Sequence, residues 1–254
     1  MLRGPPPCRP LRIAAAHTSI LTGRGLLAVT LVAPASSASD LAAYFPSETG
    51  RTWRYSTVKQ STLTAGPESR KSEKRSEVAE KVRGPSEHGS VAVSRVVNEQ
   101  NATMGQVRVE SVIHVRVGPD AISVVAIELP RRGVQTLSPA QPLLLRTVPG
   151  PNVEGLQSSL RLTTRLSSQS PSKTESPLGL FPDCIVTETT GSVSGYLNGA
   201  PVTGGSIVVN AWYARGVGLV REERTLDFSV SAPNGPSIRL QEVATKLLEE
   251  STLP

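Results

Sequence analysis

The chain has 254 residues, of which 38% are hydrophobic, 4% aromatic and 19% charged, and its formal net charge is +6. Four of its 27 Lys and Arg residues, but none of its 21 acidic residues, lie in the first 38 positions, so the remainder carries only +2. Nearly balanced charge, without a basic patch interleaved with aromatic rings, argues against a nucleic-acid partner.

The N-terminal segment has the pattern of a secretory signal peptide. Basic residues up to Arg24 precede the apolar run Gly25–Ala33, and Pro34–Ala38 supplies small residues for cleavage. The run is shorter than the ~20 apolar residues that cross a bilayer. We predict a signal peptide over 1–38 and a single β-rich domain over 39–254, periplasmic or extracellular, with no transmembrane span after cleavage. An uncleaved anchor and a mitochondrial presequence are the alternatives.

The first half of the exported part predicts a series of strands. Alternating or β-branched patterns mark Arg51–Leu63, Glu68–Arg83, Ser90–Val97, Gln106–Val117 and Ala121–Leu129. The last two strands flank a Gly-Pro-Asp turn and form a predicted hairpin. The charged stretch Glu68–Arg83 also fits a short polar helix, but the closely following strand favours a strand there. Trp53 and Tyr55 share one face of the first strand, either as core side chains or as the wall of an apolar cavity.

The second half continues in strands, with more interruptions. Prolines limit Leu143–Val148 to a short or edge strand, and the Ser- and Pro-rich stretch Ser167–Pro177 predicts a mobile loop. The pairs Asn198-Gly199 and Gly204-Gly205 in Leu197–Gly205 predict a hairpin turn, and Ser237–Leu248 predicts a strand that passes into a short helix. The other predicted strands are Ser158–Leu166, Cys184–Ser192, Ser206–Tyr213, Val217–Arg221 and Glu223–Ser231.

About ten antiparallel strands joined by turns predict a mainly β protein. We expect a curved antiparallel sheet, as a half-barrel or open barrel, with little helix. The 21 Gly and 21 Pro residues favour turns over long helices. Glycines and small residues also suit strong curvature of a sheet.

Motifs that would indicate an enzyme or a metal site are missing. His88 and His114 lie far apart, and Cys184 is the one cysteine left after the leader, so neither a zinc site nor an internal disulfide is expected. Cys184 fits a small buried side chain, a reactive thiol or an intermolecular bridge. Gly191–Gly195 has valine where a hydrolase elbow needs the nucleophilic serine, and Gly216–Gly218 lacks the third glycine of a dinucleotide loop. We predict no catalytic residues, no cofactor and no metal.

Several aromatic blocks carry a family resemblance. These are Tyr44–Pro46 with Trp53 and Tyr55, the Cys184 strand, and Trp-Tyr-Ala-Arg-Gly-Val-Gly-Leu-Val at Trp212–Val220. They resemble a group of exported bacterial proteins of unknown function, which are similar in predicted architecture to the periplasmic lipoprotein-localisation carriers. The resemblance implies a half-barrel over an apolar cavity and a place in the bacterial envelope. It implies no catalytic residues, and Pro-rich segments stand here where the carriers have a lid helix.

Two functions are compatible with these patterns. The first is a non-enzymatic envelope protein that binds an apolar ligand or lipid in the concave face of its sheet, with contacts from Trp53, Tyr55 and Trp212. The alternative is a structural or protein-interaction module of the envelope without a small-molecule ligand. Its charged face at Glu68–Arg83, or an edge of its sheet, would meet a protein partner.

Overall fold

The computed structural model describes residues 41–86, 89–101, 105–118, 121–130, 133–142, 156–167, 170–197, 200–231 and 237–252. A 3-10 turn, Leu41–Tyr44, precedes twelve strands: β1 Thr52–Ala65, β2 Glu68–Ser86, β3 Ser90–Asn101, β4 Gly105–Val117, β5 Ile122–Leu129, β6 Gly133–Pro142, β7 Leu156–Leu166, β8 Ser172–Ser176, β9 Gly179–Leu197, β10 Ala200–Ala214, β11 Gly218–Val230 and β12 Ile238–Thr252. Within these ranges there is no α-helix, and no helix long and apolar enough to cross a membrane is found there.

The strands form one antiparallel sheet in the order β6-β5-β4-β3-β2-β1-β12-β11-β10-β9-β7, with β8 paired to the start of β9. Most neighbours in the sheet are neighbours in sequence, as in a chain of hairpins. The exception at the centre is β1, which pairs with β12 along its whole length, from Thr52 opposite Thr252 to Ala65 opposite Ile238. This sheet confirms the predicted mainly β class.

The sheet curves so that one of its faces becomes the core. A large buried cluster joins Val93 of β3 and Val124 of β5 to Tyr213 of β10 and Leu219 of β11. These strands lie on opposite sides of β2, β1 and β12 in the sheet, so only a curved sheet brings their side chains together. We call this concave side the inner face and the opposite side the outer face.

A second, smaller cluster occupies another part of the inner face. It is made by β9, β10 and β11, with Leu240 of β12 packed against it. Its buried members are Val193, Ile207, Val209, Leu226, Phe228 and Val230. The inner face therefore carries a large and a small apolar cluster.

The hairpin of β8 and the first residues of β9 lies against the sheet. β8 contacts β11 and β12, which are not its hydrogen-bonded neighbours. Cys184 in this hairpin is fully buried, and its Sγ lies 3.8 Å from the carbonyl oxygen of Phe181. This burial agrees with the interpretation of Cys184 as a small core side chain. The predicted loop Ser167–Pro177 is corrected, because it contains β8.

The predicted passage from strand to helix in Ser237–Leu248 is wrong, because β12 is a strand as far as Thr252. Leu240, Val243 and Leu247 do have helical spacing. However, β12 pairs with β1 on one side and with β11 on the other. Backbone hydrogen bonds to two neighbours outweigh a weak local helix preference.

Two predicted breaks in the chain also lie inside strands. Gly204 and Gly205, predicted in a hairpin turn, belong to β10, at an irregularity of its pairing with β11. Val217–Arg221 and Glu223–Ser231 are predicted as separate strands. In the structure a single strand, β11, continues from one to the other. Gly216 lies in the turn between β10 and β11.

The predicted hairpin of the first half is confirmed. β4 and β5 pair from Val117 opposite Ile122, and Gly118 N donates to the carbonyl oxygen of Ala121 at 2.9 Å. The charged stretch that begins at Glu68 is strand β2, as favoured, and its first six residues are exposed.

Some predictions concern residues outside the described ranges. These are the signal peptide over 1–38, His88, the short or edge strand Leu143–Val148 and the Asn198-Gly199 pair of the predicted turn. They stay predictions.

Candidate functional site

The turn between β10 and β11 holds the segment just before β1, residues 41–51, against the sheet. Gly216 N donates to the carbonyl oxygen of Ala43 at 2.7 Å, and the carbonyl oxygen of Gly216 accepts from the Arg51 guanidinium at 2.6 Å. The carbonyl oxygen of Val217 accepts from Trp53 Nε1 at 2.7 Å. The aromatic block near residue 50 and the block near residue 215 therefore form one contact.

The two glycines of this turn have a backbone role. Gly216 and Gly218 have φ angles of +71° and +101°, which side chains with a Cβ rarely adopt. A Cβ on Gly218 would also lie 3.4 Å from Trp53 Nε1. Burial lowers the pKa of the nearby Arg51 guanidinium, against an opposing effect of Glu48, and the group stays charged because arginine titrates so far above neutral pH.

A cavity of about 70 Å³ lies on the inner face beside this turn. Its wall is aromatic and aliphatic except for two charged groups, and it draws on both sides of the curved sheet: Phe45, Trp53, Tyr55, Glu80, Val93, Arg95, Ile113, Val124, Ile127, Tyr213, Gly218 and Leu219. The volume is about half of the ~150 Å³ that takes up benzene. It is far below the ~300–1,000 Å³ of drug-sized ligand sites.

The structure places two of the three predicted ligand contacts at this cavity. Trp53 and Tyr55 lie in its wall and are 4% and 2% exposed. Trp212 alternates with the inner residues Ala211 and Tyr213 of β10, so its side chain leaves from the outer face and is not part of the cavity wall, although it packs against residues of the large apolar cluster. There the Arg221 guanidinium lies 5.5 Å from the centre of its ring. The ligand contacts predicted for all three residues stay predictions.

A row of charged side chains crosses the inner face between the two apolar clusters. We call it the charged belt, and it consists of Lys59, Glu80, Arg95, Glu222, Arg224, Glu242 and Lys246. The belt is not among the features predicted from the sequence, although the alternation of buried residues contains a signal for it. Glu80 lies midway between the buried Val78 and Val82, and Lys246 lies midway between the buried Ala244 and Leu248. Residues two apart on a strand share a face.

The first group of the charged belt surrounds Glu80. Lys246 Nζ lies 3.5 Å from Glu80 Oε1, and Arg95 Nε lies 3.7 Å from the same oxygen. Lys246 on β12 reaches Glu80 on β2 over the intervening β1, because the sheet is curved there. On the way its Nζ lies 3.7 Å from the centre of the Tyr55 ring, which favours a cation.

The second group surrounds Glu242. Arg224 Nη2 lies 2.6 Å from Glu242 Oε1, and Lys59 Nζ lies 3.3 Å from Glu242 Oε2. Arg224 Nε is buried and has no hydrogen-bond partner among the described residues. Each of these two carboxylates is therefore shared by two cations.

The part of the chain that the structure describes contains no group of three or more His, Cys, Asp or Glu side chains placed to hold a metal ion. His114 is buried in β4, and its Nδ1 lies 3.2 Å from Ser86 Oγ. Ser86 Oγ also shares a hydrogen bond of 2.7 Å with Ser90 Oγ. This places His114 in a packed interior rather than at a metal site.

Comparisons with known proteins show no family for this chain. No family model matches it, and no curated protein matches it. Among solved structures, one match is Ail, the attachment invasion locus protein of Yersinia pestis, at 6% sequence identity over 79% of this chain and 99% of that chain. The TM-score of this match is 0.20, so the likeness carries no argument about this chain.

Proposed function

We propose that this chain is an exported, non-enzymatic envelope protein that binds an apolar ligand or lipid on its inner face. The observation that carries the proposal is the cavity, where Trp53, Tyr55 and Tyr213 meet and Glu80 and Arg95 stand at the border. An apolar wall with a few convergent polar groups is the usual composition of a small-molecule site. The resemblance to lipoprotein-localisation carriers supports the same class of ligand.

The size of the cavity sets a condition on this function. A volume of about 70 Å³ cannot enclose an acyl chain, so the ligand must widen the space. Phe45 forms part of the wall, and the segment that carries it is bonded to the β10–β11 turn through Ala43 and to Val82 of β2 through Gly50 and Arg51. Displacement of Phe45 would open the cavity without breaking the pairing of any strand.

The test is mass spectrometry of an organic extract. The protein is expressed with its own leader and purified gently from the exported fraction, and the intact mass also locates the cleavage site, which we predict after Ala38. We expect a stoichiometric apolar molecule. Trp53→Ala should lose it, whereas Tyr196→Ala, at an exposed aromatic residue of β9 that is not assigned to the site, is the control and should retain it. A folded protein that repeatedly yields an empty extract would contradict the proposal.

A second function is favoured by the same small volume. The interior is largely filled by the chain's own side chains, and the first six residues of β2 are exposed and mostly charged. A structural or interaction module of the envelope would use this surface to meet a protein partner. Crosslinking in the native envelope should then recover one defined partner, and reversal of the charges at Arg70 and Lys71 should abolish it. Absence of any crosslink in the intact envelope would count against this function.

A further inference from the structure

Three of the four cations of the charged belt are more exposed to the space inside the sheet than the two carboxylates they pair with, whereas Lys246 is buried and Glu222 is half-buried. The side chains of Lys59, Arg95 and Arg224 are 24%, 26% and 22% exposed, whereas those of Glu80 and Glu242 are each 10% exposed. A molecule that enters along the inner face therefore meets positive charge first. Because low-dielectric walls strengthen the field of such groups, the exposed cations favour an anion.

The charged groups of the belt also sum to a positive net charge, which again favours an anion. The belt has four cations and three carboxylates, and two of the cations lie on Glu80 and two on Glu242. Arg224 has in addition a buried Nε with no hydrogen-bond partner in the described part of the chain. A buried donor without a partner is unfavourable, and an incoming oxygen atom would satisfy it.

We propose that the charged belt binds the anionic headgroup of an amphiphile, namely a carboxylate, phosphate or sulfate, whose apolar part lies against the apolar clusters of the inner face. The inference rests on the proposed function and specifies the ligand's chemistry. Arg95 belongs both to the belt and to the cavity wall, so the sites for head and tail are continuous. Guanidinium groups bind such oxyanions through paired hydrogen bonds.

The same arrangement selects against other headgroups. A cationic headgroup would be buried beside Lys59 and Arg224, and the carboxylate nearest to these two cations, Glu242, is already shared between them. An uncharged headgroup would gain no electrostatic attraction from the cations of the belt. Specificity therefore comes from repulsion as well as attraction.

The experiment is competition on the full chain. The neutral fluorophore N-phenyl-1-naphthylamine reports occupation of the apolar site, and laurate, dodecanol and dodecyltrimethylammonium compete with it below their micellar concentrations. We expect laurate to displace it at a concentration about tenfold lower than either of the others, since a charge-assisted hydrogen bond contributes about that factor. Acetate and inorganic phosphate are added as anions without a tail and should not displace it.

Variants test the residues that are assigned to the headgroup. Arg224→Gln should raise the laurate concentration needed by about tenfold and narrow the preference for laurate over dodecanol. Glu242 keeps Lys59 in this variant, so the carboxylate is not left without a partner. Arg239→Gln removes an equal charge from the outer face, where Arg239 pairs with Asp227, and should change nothing. Lys59→Gln is the second belt variant if Arg224→Gln fails to fold.

The outcomes separate the two levels of the proposal. Equal displacement by all three amphiphiles, or an equal effect of Arg239→Gln, would overturn the headgroup assignment and leave the apolar site standing. If acetate or phosphate displaced the fluorophore as effectively as laurate, the belt would be a site for free anions, and the proposal that its ligand is an amphiphile would be overturned. No uptake of the fluorophore together with no binding of any amphiphile would overturn both the headgroup site and the proposed function.

Discussion

Trp53 and Trp212 differ in what their side chains contact. Trp53 is buried on the inner face, and its Nε1 donates to the carbonyl oxygen of Val217. Trp212 is half-buried on the outer face beside Arg221. The resemblance and the apolar character of both residues suggest one common role. The structure gives them different surroundings, so a substitution at Trp53 should lower the stability of the protein more than the same substitution at Trp212.

Trp53→Phe should lower the free energy of unfolding by about 2 kcal/mol, since it leaves a buried carbonyl group without its donor and removes part of a packed ring. Trp212→Phe, the same substitution on the outer face, should lower it by less, about 1 kcal/mol, since it removes a cation–π contact and part of a half-buried ring that packs against the large cluster. Urea unfolding of the two variants measures the difference. An equal loss in both would contradict the burial and hydrogen bond described for Trp53.

The ion pair of Asp227 with Arg239 sets a pH dependence. The hydrogen bond from the Arg239 guanidinium lowers the pKa of Asp227, against a smaller effect of burial, and Gln241 adds to the lowering. A carboxylate whose pKa is lowered in the folded state adds stability above its unfolded pKa of about 3.9. That contribution disappears as the pH falls through the folded pKa.

Asp227→Asn should therefore lower stability at neutral pH, and the difference from the unchanged protein should vanish in strong acid. Both side chains are partly exposed, so solvent screening limits the difference to about 1 kcal/mol or less. Urea unfolding as a function of pH measures it. A difference that stayed constant down to strong acid would show that the ion pair is not its source.

At the level of single elements, strand β10 depends on a close approach at one of two adjacent glycines. A Cβ on Gly205 would lie 2.8 Å from the Cβ of Val193 and 3.0 Å from that of Phe228, whereas a Cβ on Gly204 would meet nothing within 4 Å. Gly205 is therefore required where β9, β10 and β11 pack together in the small apolar cluster.

Gly205→Ala should lower the free energy of unfolding by about 1–3 kcal/mol, the usual range when a packed interior is overfilled. Gly204→Ala should be neutral or slightly stabilising, because alanine restricts the unfolded chain. Thermal and urea unfolding of both variants provide the comparison. If Gly204→Ala were the more damaging of the two, β10 would have to pair with β9 and β11 in a different register.

At the level of the whole molecule, the pairing of β1 with β12 joins the two halves of the sheet, and the charged belt crosses this junction. Lys246 on β12 reaches Glu80 on β2 over β1, and the two side chains are 4% and 10% exposed. Because the sheet curves there, two charges on strands that are not neighbours come within contact distance. Burial makes the partners depend on each other.

Lys246→Met should lower the free energy of unfolding by about 3 kcal/mol, since a buried carboxylate loses one of its cations. The double variant with Glu80→Gln should be less destabilised than the sum of the single variants, by about 1 kcal/mol or more. The matched control is the exposed pair Arg54 and Glu250, 54% and 60% exposed, where the coupling should be near zero. Equal coupling in both pairs would contradict the burial of the belt.

The class of the fold and most of its strands follow from the amino-acid sequence. Alternation in Arg51–Leu63 and in Gln106–Val117 depends only on the local chain, because successive residues of a strand point to opposite faces. For the same reason the sequence is sufficient to put Trp53 and Tyr55 on one face. It also argues against a nucleotide site at Gly216 and Gly218, whereas the turn that these glycines form is given by the structure.

Which face becomes the inside, and what that face contains, depends on the folded sheet. Alternation cannot show that Trp212 lies outside, nor that Lys59, Glu80 and Lys246 lie inside, because charged residues usually face solvent. Those positions are set by the curvature of the sheet, which brings β2 within reach of β12 and β3 near β10. The curvature belongs to the whole paired sheet, including the pairing of β1 with β12 from opposite ends of the domain, and for that reason the charged belt is formed only when the sheet is complete.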